Sequence, residues 1–193
     1  MPDAVDSRTF RSGAGRICLD FVRTLRYRGR PDVDEELNTP SRLAEWVGLF
    51  GPCQPDSSLA ATDVSIDSAR RLREAIYSLL VAVTSAAGAR SCPPRHRRLV
   101  NDWAAREVPA PTLHPDGSVG YHADDPVAAT LSAVARDALD LVSGQELGRV
   151  RRCANPDCNT LFLDTSRPGK RRWCSMATCG NQAKKANQRA RHG

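Results

Sequence analysis

Cys153, Cys158, Cys174 and Cys179 stand in two pairs, each with four residues between its members, inside the stretch CANPDCNTLFLDTSRPGKRRWCSMATC. Thiolates are the ligands zinc prefers for structural sites, four of them at about 2.3 Å in a tetrahedron. Two pairs, each preformed by a local turn, can supply that set. The remaining cysteines, Cys18, Cys53 and Cys92, are scattered, and an odd total of seven argues against a disulfide framework. We therefore expect one structural Zn2+ per chain on the four clustered thiols, with the other three buried as small apolar residues. Four thiolates leave no open position for water, which disfavours catalytic zinc. Iron or an iron–sulfur cluster is the alternative occupant, and four packed, reduced thiols the reading without metal.

Local structure must make the sulfurs converge. The first pair brackets Ala154-Asn155-Pro156-Asp157, residues that favour a turn, and Leu161-Phe162-Leu163 can follow as a short strand. Within one α-helix Cys174 and Cys179 would sit about 140° apart around the axis, a poor arrangement for one ion. With Ser175 as N-cap, however, Cys174 precedes the helix and Cys179 falls in its first turn, positions that meet as in a hydrophobic staple. The helix then runs from about Ser175 to Arg191. Cys179, Ala183, Ala186 and Ala190 form a small-residue stripe against the knuckle, and Asn181, Lys184, Lys185, Gln188 and Arg191 cover the opposite side.

Charge is distributed unevenly. The chain carries +6 overall, yet residues 149–193 hold +9 and residues 1–148 hold −3. A weakly acidic body with a strongly basic tail implies a polyanionic partner for the tail, nucleic acid above all. The candidate contacts are Arg167, Lys170, Arg171 and Arg172 in the loop before the helix, and Asn181, Gln182, Lys184, Lys185, Gln188, Arg189 and Arg191 on it. Lysine and arginine suit phosphate oxygens, and asparagine and glutamine suit base edges.

The body reads as helical. Apolar periodicity predicts helices over Gly13–Leu25, from Pro40 behind an N-cap at Thr39 to Phe50, over Ser65–Ala87 with Gly88 as terminator, after Pro94, and from Pro126 behind Asp125 to Gly144. The stretch GPCQPDSS is a loop, Thr112–His122 a hairpin turning at Asp116-Gly117, and Ser143–Gly148 a connector. The expected fold class is mainly α with a small β-hairpin, hence α+β: a helical body over 1–148 and a treble-clef-like finger over 149–193. No apolar run of membrane-spanning length is present and the first residues lack a secretory pattern, so a cytoplasmic location is expected.

The string RRWCSMATCGNQAKK, with the upstream pattern C-x4-C-x3-F-x-D-x-S, resembles the CGNR zinc finger family. ICLDFVRTL, SRLAEWVGLFG and ARRLREAIYSLL make the body similar to the ABATE domain that precedes that finger. The resemblance covers nearly the whole chain. It implies zinc on Cys153, Cys158, Cys174 and Cys179, and a bacterial transcriptional regulator described for the family as stress-induced. Two positions depart from the family pattern: Gln182 stands where the motif has its arginine, and Arg23 where LDFVNT has asparagine.

The function expected is that of a DNA-binding regulator, the body sensing a signal or dimerising and the finger contacting DNA. A homodimer is expected because one small module buries only about 600–1,000 Å² on DNA. An unidentified small-molecule effector would bind the body, where Asp20, Arg23, Arg26 and Arg28, close together on the first helix, are the candidate pocket. An RNA-binding module and a protein-interaction module are the rival readings. An enzyme is a third, and it is not favoured: no catalytic residue is assigned, and the only histidine of the tail is His192.

Overall fold

The computed structural model describes residues 10–53 and 63–192. The fold is α+β and mainly helical. Most of the loop expected at GPCQPDSS lies outside the described residues.

Helices α2 (Pro40–Phe50), α3 (Ile66–Val83) and α5 (Pro126–Ser143) begin where side chains can receive their first free N–H groups. Thr39 accepts from Arg42 N at 3.2 Å, Ser65 from Ser68 N at 3.2 Å and Asp125 from Ala128 N at 2.9 Å. Proline stands in the first turn of α2, α5 and α4 (Pro94–Ala104), where its missing N–H costs nothing. The apolar stripes of these helices meet around Trp46, Trp103, Leu72, Ile76 and Leu131, all buried.

Two helices are shorter than their apolar patterns suggest. The first, α1, spans Ile17–Val22 rather than Gly13–Leu25, because Gly13 and Gly15 hold φ of +87° and +98°, incompatible with a right-handed helix. After Arg23 the chain turns into β1 (Leu25–Arg26), paired antiparallel with β2 (Asp34–Glu35). Helix α3 stops at Val83, where the Thr84 hydroxyl donates to the Leu80 carbonyl at 2.8 Å; Gly88 opens a separate 3-10 turn, Gly88–Ser91, instead of capping α3.

The expected hairpin is β3 (Ala110–Leu113) with β4 (Val119–His122), Leu113 opposite Val119. Beyond α5 the connector is a 3-10 turn, Gln145–Arg149, leading into β5 (Val150–Arg152), which pairs with β6 (Leu161–Leu163). A π-helical turn, Met176–Gly180, and α6 (Asn181–His192) complete the chain. No helix among the described residues is long and apolar enough to cross a membrane.

The cysteine segment packs directly on the body. Leu163 N donates to the Ala14 carbonyl at 2.8 Å, and a Cβ on Gly15 would lie 2.7 Å from Leu163 Cβ. Tyr77 Oη donates to the Asn159 carbonyl at 3.3 Å. Gly29 N donates to the Asp157 carbonyl at 3.2 Å, and a Cβ there would come within 1.8 Å of the Pro156 oxygen. That oxygen is backbone and cannot step aside as a side chain could. Gly29→Ala is therefore expected to lift the 27–30 turn off the finger and cost about 1–3 kcal/mol in urea or thermal unfolding. Gly148→Ala, with nothing within 4 Å, serves as the control and should be close to neutral.

Candidate metal centre and basic surface

The first knuckle is built from backbone hydrogen bonds. Cys153 N donates to Thr160 O at 2.8 Å as β5 ends, and Cys158 N donates to Asn155 O at 3.0 Å. Asn155 Oδ1 accepts from Asp157 N at 3.0 Å, an Asx turn of the kind its residue type favours. Asn159 then takes φ of +49°, a conformation asparagine tolerates better than most residues.

The second knuckle is a capped helix start, as the sequence suggests, but the turn is wider than α. Ser175 is the N-cap and accepts from Thr178 N at 3.4 Å, while Gly180 N donates to Ser175 O at 3.0 Å, an i→i+5 bond. Widening the turn carries Cys179 back toward Cys174, and their sulfurs stand 3.7 Å apart. Ala154 N donates to Arg172 O at 2.8 Å, tying the two knuckles together.

All four Sγ atoms lie within 4.8 Å of one another and all four residues are buried. Cys158 and Cys174 are also 3.7 Å apart. A tetrahedron with metal–sulfur bonds of about 2.3 Å has edges of about 3.8 Å, so this spacing fits zinc, whereas a disulfide needs about 2.05 Å. The four cysteines form a site for one zinc ion, Cys153 and Cys158 from the first knuckle, Cys174 and Cys179 from the second. Their titration agrees with that use. Hydrogen bonds from Cys153 and Cys174 pull the Cys158 thiol far below its ordinary range, and the Thr160 N–H adds to this. Hydrogen bonding to Cys153 and Cys158 pushes Cys174 up, and burial followed by repulsion from Cys158 and Cys153 pushes Cys179 up. Crowded thiols thus share few negative charges until a divalent cation reverses the repulsion.

The motif aspartate, Asp164, shapes the loop between the knuckles. It is fully buried, and its Oδ1 accepts from Ser166 Oγ at 2.6 Å and Ser166 N at 3.0 Å while Oδ2 accepts from Arg171 N at 2.8 Å. Those bonds, the Ser166 hydroxyl first, hold its carboxyl below the usual range. Its place in the F-x-D-x-S string is the signal that could have assigned it this role from sequence.

The basic candidates separate by what they touch. Arg167, Lys170 and Arg172 are exposed. Arg171 turns inward, its guanidinium 4.9 Å above the Phe162 ring and donating to Cys174 O at 3.0 Å. Asn181 Nδ2 donates to Ala177 O at 3.1 Å, and Gln182 accepts from Asn155 Nδ2 at 2.8 Å, so the residue replacing the motif arginine braces the first knuckle. Lys184, Lys185, Gln188 and Arg189 are exposed; the side chain of Arg191 lies outside the described residues. The expected small-residue stripe does not pack fully against the knuckle: Cys179 is buried, Ala183 half-buried and Ala186 exposed. Trp173, half-buried beside the knuckles, has the Arg172 guanidinium 5.1 Å above its ring.

In the body, Asp20 alone of the four pocket candidates lies on α1. Asp20 accepts from Ala14 N at 3.0 Å and meets Arg23 at 3.5 Å, and Arg23 also donates to Ser12 O at 2.9 Å. Arg26 pairs with Glu36, and Arg28 pairs with Glu74 at 2.7 Å beneath the Tyr77 ring. The structure brings Asp20 and Arg23 together and sends Arg26 and Arg28 to separate acids. Cys18, Cys53 and Cys92 are buried, as expected.

Comparison with known families agrees with this geometry. A family model described as ABATE, "Putative stress-induced transcription regulator", matches residues 15–145, and one described as CGNR zinc finger matches residues 149–192. No curated protein matches the chain.

Proposed function

This chain belongs to the ABATE family and carries a CGNR zinc finger at its carboxyl-terminal end, and on that premise we propose that it is a zinc-dependent, DNA-binding transcriptional regulator of the cytoplasm. It acts by binding rather than by catalysis. The helical body, residues 1–148, serves as sensor or dimerisation unit, and residues 149–193 engage the duplex. The observation that carries this reading is the exposed row Lys184, Lys185, Gln188 and Arg189 on a helix whose first turn is held by the four-sulfur site. Zinc would fix the direction in which α6 leaves the finger, and an α-helix fits the major groove.

Duplex DNA is favoured over single-stranded RNA because Phe162 is fully buried and Trp173 is half-buried with the Arg172 guanidinium over one face of its ring, which leaves little aromatic surface for stacking. For zinc-loaded, full-length protein on duplex DNA we expect log K to fall with log salt at a slope of about −4 to −5, from about five neutralised phosphates. Binding that is absent, or insensitive to salt, refutes the reading. Equal or tighter binding to single-stranded RNA at matched salt transfers it to RNA.

A further inference from the structure

A cleft of about 650 Å³ lies where the body meets α6, within the about 300–1,000 Å³ typical of ligand sites. The Tyr27–Arg30 turn of the body forms one wall and the Asn155–Asp157 turn of the first knuckle borders it. Arg172, Lys185 and Arg189 line the other side. Among the described residues these three cations have no acidic partner, and the lining contains one carboxylate, Asp157.

The aromatic rings here are already covered. Arg172 lies 5.1 Å over Trp173 and Arg30 lies 5.4 Å over Tyr27, with Arg30 also donating to Asp32 at 2.9 Å. The Arg172 guanidinium, stacked on Trp173, is oriented in advance and keeps its N–H edge for an oxyanion, whereas the N–H edge of Arg30 is taken by Asp32. The cleft therefore suits a phosphodiester better than a stacked base.

Helical spacing gives α6 two working faces. Gln182, Lys185 and Arg189 fall within about 60° of one another and face the cleft, whereas Asn181, Lys184 and Gln188 repeat that spacing about 100° away. We infer that a backbone phosphate of the bound nucleic acid sits in this cleft, clamped by Arg172, Lys185 and Arg189 and walled by the Tyr27–Arg30 turn, so that body and finger grip the strand together. This inference rests on the nucleic-acid reading above, and it assigns the body a place in the interface.

The test uses full-length, zinc-loaded protein and a labelled random-sequence duplex across a salt series. Removing all three clamp cations, R172A/K185A/R189A, should flatten the log K versus log salt slope by about 0.9, the share of the one phosphate they hold, and K184A, at a separate phosphate, should flatten it by the same amount. Arg30→Glu, at an exposed side chain, should weaken binding roughly tenfold at fixed salt while zinc content and thermal unfolding stay unchanged. Arg189→Glu, on the opposite wall, should do the same without touching the body fold. If both charge reversals leave affinity and slope as in the wild type while K184A keeps its effect, the cleft is not the phosphate seat and the outer face of α6 alone carries binding. If the wild-type protein shows no salt-dependent binding, the nucleic-acid reading itself falls.

Discussion

Cys174→Ser is expected to empty the metal site and dissolve the ordered core of the finger while leaving the helical body folded. Structural zinc supplies about 10–16 kcal/mol of folding free energy in isolated fingers, more than the stability of a whole domain. Here the four sulfurs link the two knuckles with only the Ala154–Arg172 backbone bond and the Asn155–Gln182 side-chain bond beside them, and the surrounding segment buries few apolar side chains of its own: Val150, Leu161, Phe162 and Leu163. The body keeps Trp46, Trp103, Leu72, Ile76 and Leu131 regardless. Metal analysis should read one zinc per chain in the wild type and close to none in the variant. Amide exchange should accelerate across residues 150–180 and remain slow across Ile66–Val83. A chelator should reproduce both effects. Cys92→Ala, at a buried thiol outside the site, should retain the metal. An ordered finger after complete zinc removal would contradict the account, because the direction of α6 would then not depend on the ion.

Much of this site was legible in the sequence because zinc ligation is local: the paired spacing, the turn formers between Cys153 and Cys158, and Ser175 in front of its helix each act over a few residues. The i→i+5 turn was not legible, since Met176–Gly180 contains nothing that distinguishes a π from an α start until the two sulfurs must share one centre. Helix caps at Thr39 and Asp125 were readable for the same local reason, whereas the helix expected from Ser65 begins one residue later with Ser65 as its cap. Long-range partners were not. Arg26, Arg28 and Arg73 resemble surface charges in a string, and what buries them is the return of the chain at β2 and its packing on α3. The Tyr27–Arg30 turn likewise gains its neighbours only when the first knuckle, well over a hundred residues later, packs on Gly29.

Arg73 is the buried centre of that charge network, and the stability of the body depends on it. Arg73 is 2% exposed, and its two terminal nitrogens each donate to Glu35 at 2.6 Å while Nε reaches Glu74 at 2.8 Å. Burial alone would raise the Glu74 carboxyl, but hydrogen bonds and charge from Arg28, followed by the charge of Arg73, outweigh it and hold it below its usual value. A carboxylate depressed in this way adds stability that is present above its unfolded pKa and is lost as pH falls through the lower folded value. Arg73→Ala removes the bidentate partner of Glu35, which is a quarter exposed and keeps Arg70 at 3.6 Å, and should cost about 3 kcal/mol, the low end for breaking a buried pair. For a chain of this length that amounts to a fall in Tm of roughly 10 °C. Replacing both partners by apolar residues of similar size, Arg73→Met with Glu35→Leu, should recover most of the loss, because no charge is then left without a counterpart. A loss below about 1 kcal/mol for Arg73→Ala in urea unfolding would show that the pair is dispensable. Since Glu35 belongs to β2, whose partner β1 leads into the Tyr27–Arg30 turn, the same variant should loosen the wall of the α6 cleft and weaken nucleic-acid binding even at temperatures where the body stays folded.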